Sequence, residues 1–479
     1  MCAFSRACSF DPSVCSRQTL VVNSITRVAG IRRLIDSLRS YKDFNRRSIR
    51  HYYLKKMVVK TLRLDEELAN TGYSTRWVLD KLEKHCDDYV AAKGDKRVVD
   101  IEANDVSDGK GYLSRVFVTE VTFHDNSSFK LAMKIPTCDI LEEKFLSMEG
   151  MKEDVAKVVV ENLMESHNIE CDAISFVASF KDFPAPKIYY VEKMREGRES
   201  GLEGREAPGV IMMNALDGAS LGVVKSVTKE QCINFALDFA TLHDHVAQAS
   251  EEKWRNKFNS TMHWDTGMAE TGVMALQKFE KAYPELSEIC GILQNLDWVK
   301  YTLYALKHRP AQLNAWTYVH GDAWTNNVMF KKNPDGSVSD QVLAYIDYQI
   351  GFEGNPIFDI CRFLTICADA EIRREAEPVV LKTYHDRLTS LFAKRGEKVP
   401  YSLEDVQELY DLSFVHQTLQ SALVTSFMGK EHAEQFTPEV LEAQMAKLLL
   451  RSKFNLMDAE KIWKARKLAK VCSGLVADS

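Results

Sequence analysis

Tyr318-Val319-His320-Gly321-Asp322-Ala323-Trp324-Thr325-Asn326-Asn327-Val328 decides the fold when read together with Leu343-Ala344-Tyr345-Ile346-Asp347-Tyr348. Phosphoryl transfer needs a carboxylate that orients a hydroxyl and takes its proton, and separate oxygen ligands that hold Mg2+ on the phosphates. Asp322, Asn327 and Asp347 are of those types. Asp322 and Asn327 stand five positions apart, a spacing at which one short loop aims a base and a metal-binding amide into the same cleft. Further on, Asn333-Pro334-Asp335-Gly336 is a turn signal, and a hairpin closed there carries Asp347, at the end of an apolar strand, back beside Asn327. We therefore expect Asp322 to be a catalytic base, and Asn327 and Asp347 to be metal ligands. His320, at the start of the loop, is expected to hold the turn through backbone hydrogen bonds rather than to move protons.

Upstream, the period of the sequence changes to that of strands. Arg115–Phe123 and Phe129–Ile135 alternate, with a turn at His124–Ser128 between them. In the second run Leu131, Met133 and Ile135 face one side, while Ala132 and Lys134 face the other, under a nucleotide. A long helix is expected over residues 151–182, with Val155, Val159, Leu163, Ile174 and Val177 at three- and four-residue spacings and Glu170 on the same stripe. A carboxylate on a core-facing stripe needs a partner, and Lys134 is the one expected. Asp105–Ser114 carries Gly109 and Gly111 at alternate positions as it opens a strand, so its backbone can approach phosphates closely. Lys187–Val191 and Val210–Met213 read as two further strands, separated by an Arg195–Gly209 surface loop.

Four segments follow. Residues 1–56 hold twelve Lys/Arg against three acids, a local charge of +9 that leaves −15 for the remainder of a chain whose net charge is −6. This segment fits a disordered basic extension, a start placed ahead of Met57, or a mitochondrial transit peptide. Residues 57–100 form a helical cap, with a helix over Thr75–Val90; residues 101–216 form a smaller, mainly-β lobe, and residues 217–479 a larger, mainly-α lobe. The expected class is α+β, bilobal, with a nucleotide in the cleft between lobes. The acidic body excludes a nucleic-acid partner, and no stretch approaches the roughly 18 apolar residues of a membrane span. Eleven scattered cysteines without a C-x-x-C pair point to a reducing compartment, the cytoplasm, or the mitochondrion if residues 1–56 are a transit peptide. Cys361 and Cys367 are read as core residues.

The strings His320–Asn327, Ile346-Asp347-Tyr348-Gln349, Asp105–Ser114 and His167-Asn168-Ile169-Glu170 together resemble the CHK kinase-like family, related to ecdysteroid kinases and more distantly to choline and aminoglycoside kinases. The resemblance spans roughly residues 75–455. It implies a protein-kinase-like fold that uses ATP and Mg2+ to phosphorylate a hydroxyl of a small molecule, which we expect to be lipophilic. Residue by residue, it implies Asp322 as base, Asn327 and Asp347 on Mg2+, and Lys134 with Glu170 at the phosphates. It further implies that the backbone around Asn214–Leu216 meets the adenine.

Only eleven residues separate Asp347 from Asp359, which leaves no room for an activation loop or an A-P-E segment and argues against a protein substrate. The alternative is a non-catalytic nucleotide-binding module, which would be expected to lack at least one of Lys134, Asp322, Asn327 or Asp347. All four are present. Asp359 is expected to cap the helix that follows it, and His243 to be a satisfied core histidine.

Overall fold

The alternation in Arg115–Phe123 makes a half-buried strand, and a computed structural model puts it inside one sheet. The structure describes residues 62–107, 113–137, 153–195, 199–203, 207–428 and 436–471. Residues 1–56, Gly109 and Gly111, and parts of the Arg195–Gly209 loop lie outside the described residues.

Strands β1 (Val98–Asp105), β2 (Ser114–Phe123), β3 (Ser128–Pro136), β4 (Ile188–Glu192) and β5 (Val210–Asn214) form an antiparallel sheet in the order β1-β2-β3-β5-β4. In β2, Phe117, Thr119, Val121 and Phe123 are buried at every second position. β3 is central, and both of its faces are covered from Leu131 onward. Ala132 joins the main apolar core together with Ile211, Met213, Ile174 and Val177. Lys134, two residues along and so on the same face, therefore starts from a buried position.

The expected N-terminal helix is two. Ser74 caps Thr75–His85 by accepting the Trp77 N–H at 3.1 Å. The backbone then turns extended at Cys86, whose Sγ accepts the Tyr89 N–H and starts Asp87–Lys93. The long helix runs Glu153–Val177, shorter at its C-terminal end than the pattern suggests.

Beyond the sheet the chain is mostly helical, as expected. Lys229–Gln248, opened by a capping box at Thr228 and Gln231, packs along Ala370–Ala393. Leu403–Met428 packs on Phe358–Cys367 and Pro438–Ala465. Phe358–Cys367 is buried at every position, so each polar side chain on it must find an internal partner. Two ribbons interrupt the helices: β6 (Thr317–Val319) with β9 (Phe352–Gly354), and β7 (Val328–Lys332) with β8 (Val338–Tyr345). The second is the expected hairpin, closed by the Gly336 N–H to Asn333 carbonyl bond at 2.9 Å, with Gly336 at φ +82°.

Cys361 and Cys367 are buried free thiols in the main core. Among the described residues no helix is long and apolar enough to cross a membrane.

His243 is buried, with Nδ1 2.8 Å from the Tyr384 hydroxyl on the packed helix. Burial pushes its pKa down to about 3. The ring thus stays neutral when folded, whereas the unfolded chain takes up the proton below about 6.5. Stability from this site is complete above that value and is lost as pH falls through it. Relative to His243→Gln, the wild type is expected to lose about 1.4 kcal/mol per pH unit between roughly 6.5 and 5, read by urea unfolding at the two pH values.

Candidate functional site

Lys134 Nζ lies 2.7 Å from Glu170 Oε1 and 2.8 Å from Asp347 Oδ1. The sheet provides the lysine, the Glu153–Val177 helix the first carboxylate, and the segment after β8 the second. Glu170 is 3% exposed and Lys134 8%, whereas Asp347 is 27% exposed and so opens toward solvent. Burial works against the lysine's charge, but Asp347 and Glu170 outweigh it and hold Lys134 above its ordinary pKa. Burial pushes Glu170 upward, with Asp347 adding to the effect. Glu170 Oε1 also accepts the Tyr348 N–H at 3.2 Å, which ties the helix to the residue after Asp347.

The hairpin brings Asp347 beside Asn327, as its turn sequence implies. Val328 pairs with Tyr345, and the ladder continues through the Ile346 N–H to the Asn327 carbonyl at 3.0 Å. β8 ends at Tyr345, so Asp347 stands two residues past the strand rather than on its last position, in the left-handed region at φ +68°. Asp tolerates that conformation better than most residues. It is the backbone reversal that turns this carboxylate toward Lys134.

Asp322 Oδ1 meets Arg362 Nη2 at 2.5 Å, and its Oδ2 accepts from Asn327 Nδ2 at 2.8 Å. The same Nδ2 donates to the Asp322 carbonyl at 3.0 Å. Burial raises the Asp322 pKa, and Arg362 opposes that rise. His320 does what its position suggested: Nδ1 accepts the Asp322 N–H at 3.2 Å, which leaves the proton on Nε2, 3.2 Å from the Ile346 carbonyl. Burial takes its pKa down to about 4, so the ring is neutral. Gly321 sits at φ +84°, and a Cβ there would lie 2.3 Å from the Ile350 carbonyl oxygen. Only glycine fits this position.

Asp359 does not cap its helix. Ile357 is the N-cap, without a side-chain bond, while Asp359 accepts the His320 N–H at 2.8 Å and the Gly321 N–H at 2.9 Å. Burial raises its pKa to about 7, against the pull of those two donors. The physical reason is demand: two loop N–H groups in the core have no strand partner, and a buried carboxylate one helix away satisfies both. Arg362, one turn further along, is the site residue that sequence reading missed. A signal existed, because Asp359 and Arg362 are the charged pair in an otherwise apolar or small helix, Phe358-Asp359-Ile360-Cys361-Arg362-Phe363-Leu364.

Asn214 and Leu216 stand apart from this cluster. Asn214 Oδ1 accepts the Lys187 N–H at 2.7 Å, and its own N–H donates to the Lys187 carbonyl, so this side chain secures β5 to the start of β4. Leu216 is half-buried in the link from β5 to Ala219, which pairs with Phe330 on the hairpin through two bonds of 2.8 Å. The link therefore joins the sheet to the ribbon that carries the site.

A family model, DUF1679, described as "Uncharacterized oxidoreductase dhs-27", matches residues 94–465. The protein of that description from Caenorhabditis elegans is 25% identical over 327 residues, covering 66% of this chain and 38% of its own length. A second C. elegans protein, "Uncharacterized kinase-like protein D1044.1", is 23% identical over 263 residues, 53% of this chain and 64% of the relative. The chain thus spans less than two thirds of either relative. Among solved structures, choline kinase from Cryptosporidium parvum aligns with 84% of this chain and 98% of its own, at 12% identity and a TM-score of 0.43.

Removing Lys134 alone leaves Glu170 buried without its cation. Lys134→Met is expected to destabilise the fold by about 3–5 kcal/mol, and Lys134→Met/Glu170→Leu to recover much of that loss, because an apolar pair of similar volume replaces a broken ion pair. Denaturant unfolding of the two variants checks this; equal stability of wild type and Lys134→Met would show that the ion pair contributes nothing.

Proposed function

The chain belongs to the DUF1679 family, a CHK kinase-like family, and from that premise we propose that it is an ATP- and Mg2+-dependent phosphotransferase acting on a hydroxyl of a small, lipophilic molecule. The observation that carries the reading is the meeting of Lys134, Glu170 and Asp347 in one ion cluster beside the loop that holds Asp322 and Asn327. These groups come from a sheet, a helix and a hairpin. A purely structural ion pair does not call for a part-exposed second carboxylate in the left-handed backbone region at its edge.

In this reading Lys134, held by Glu170, orients the phosphates. Asp322 accepts the proton of the acceptor hydroxyl, and the mouth of the cleft is where that hydroxyl arrives. The donor set suits Mg2+, which takes oxygen ligands and keeps water and phosphate in its shell. Asn327 Nδ2 is engaged by Asp322, so its Oδ1 is the atom left for a cation that the Asp347 carboxylate would also hold. Among the described residues no cluster of three His, Cys, Asp or Glu forms an all-protein metal cage. The bound ion would neutralise charge developing on the transferred phosphoryl group. The backbone around Asn214–Leu216 is the proposed adenine edge, and Gly109 and Gly111 belong to the proposed phosphate loop.

The relative's oxidoreductase name is not carried over. The match covers 38% of that protein, and dinucleotide dehydrogenases bind at a parallel, doubly wound sheet, whereas the five-stranded sheet here is antiparallel throughout.

Incubation with Mg-ATP and a metabolite extract, followed by mass spectrometry, is expected to reveal new phosphate esters. Asp322→Asn should lower their formation on the order of a thousandfold while still binding ATP, as read by calorimetry. Equal ester formation by both proteins removes Asp322 as the base. ATP binding by the wild type without any ester favours the non-catalytic module.

A further inference from the structure

Asp322 is gripped from outside its own loop. Its Oδ2 is held locally by Asn327, five residues on, but its Oδ1 is held by a guanidinium forty residues away in sequence. That guanidinium is itself fixed, since Arg362 Nη1 lies 3.3 Å from Gln417 Oε1 on the Leu403–Met428 helix. Asp322 is 16% exposed and Arg362 8%, so the pair lies inside the protein with the carboxylate as its more open side.

Asp359 and Arg362 stand three positions apart, and so project from neighbouring points on one face of the helix. Asp359 fixes the loop backbone at His320 and Gly321. Arg362 fixes the carboxylate two residues later. With both oxygens held, the carboxylate plane cannot turn. Without Arg362 it keeps one local bond and is free to rotate.

We infer that Arg362 is a positioning residue, which holds the Asp322 carboxylate in the orientation that receives the acceptor hydroxyl. This rests on the reading of Asp322 as the base. A general base must lie within hydrogen-bond reach of the proton it takes, and displacement of about 1 Å lowers a rate by roughly a hundredfold. The side-chain bonds of Arg362 go to Asp322 and Gln417, not to Lys134, Glu170 or Asp347, the groups proposed to meet the phosphates. Its loss therefore acts on turnover rather than on nucleotide affinity.

The test compares wild type, Arg362→Lys, Arg362→Met and Arg362→Ala, with Asp322→Asn run alongside, using γ-labelled ATP and the metabolite extract. Arg362→Met is expected to lower kcat by about ten- to a hundredfold, with the calorimetric Kd for ATP changed by less than about twofold. Arg362→Lys, which keeps the charge but loses the planar fork, falls between the two. Methylguanidinium added to Arg362→Ala restores part of the lost turnover. Unchanged turnover in folded Arg362→Met overturns the inference. So does a parallel loss of melting temperature and ATP affinity across the variants without rescue by methylguanidinium, which marks a structural role. Activity retained in Asp322→Asn instead removes the base assignment itself, and the inference with it.

Discussion

The site depends on one buried ammonium shared by two carboxylates. Lys134 sits on the central strand of the sheet, Glu170 on the Glu153–Val177 helix, and Asp347 past the hairpin, so a single point of contact fixes three elements relative to one another. Burying such charges costs several kcal/mol per ion unless each is met by a well-placed partner. The partners are present: Glu170 accepts from both Lys134 and the Tyr348 backbone, and the edge toward solvent falls at Asp347. The arrangement contributes alignment more than stability, because an apolar cluster of the same volume would fold as well.

The second constraint is the buried helix Phe358–Cys367. All of its positions are covered, which makes every polar side chain on it accountable to a neighbour. Asp359 answers to two loop N–H groups and Arg362 to the loop's carboxylate and to Gln417. One rigid element thus sets both the backbone and the side chain of the loop, while Gly321 permits the loop to pass within contact of the Ile350 carbonyl. His320 completes the lock by joining the loop to Ile346, and its neutral ring makes that joint insensitive to pH around neutrality.

Much of this was legible beforehand. The alternation in β2 and β3, the stripe carrying Glu170 and the Asn-Pro-Asp-Gly turn each report local geometry, since side chains two, three or four positions apart share a face whatever the chain does elsewhere. The meeting of Lys134 with Glu170 was readable because a carboxylate on a core-facing stripe needs a cationic partner. Other features were not legible. Cys86 interrupts the first helix by serving as a cap, a role that the periodicity of Thr75–Val90 does not reveal. Asp359 looked like a helix cap because it precedes an apolar run, but its partners lie 38 and 39 residues back.

Sequence alone determined which groups were available and how they were spaced: a carboxylate and an amide on one loop, a carboxylate after a hairpin, a lysine on a strand and a glutamate on a core-facing helix stripe. Tertiary structure decided who holds whom. Arg362 reaches Asp322 because the Phe358–Cys367 helix packs beneath the loop, and Asp347 reaches Lys134 because its backbone reverses at a positive φ. A buried charge takes its partner from whatever element packs against it, and that choice is made by the core as a whole, over separations that no local pattern encodes.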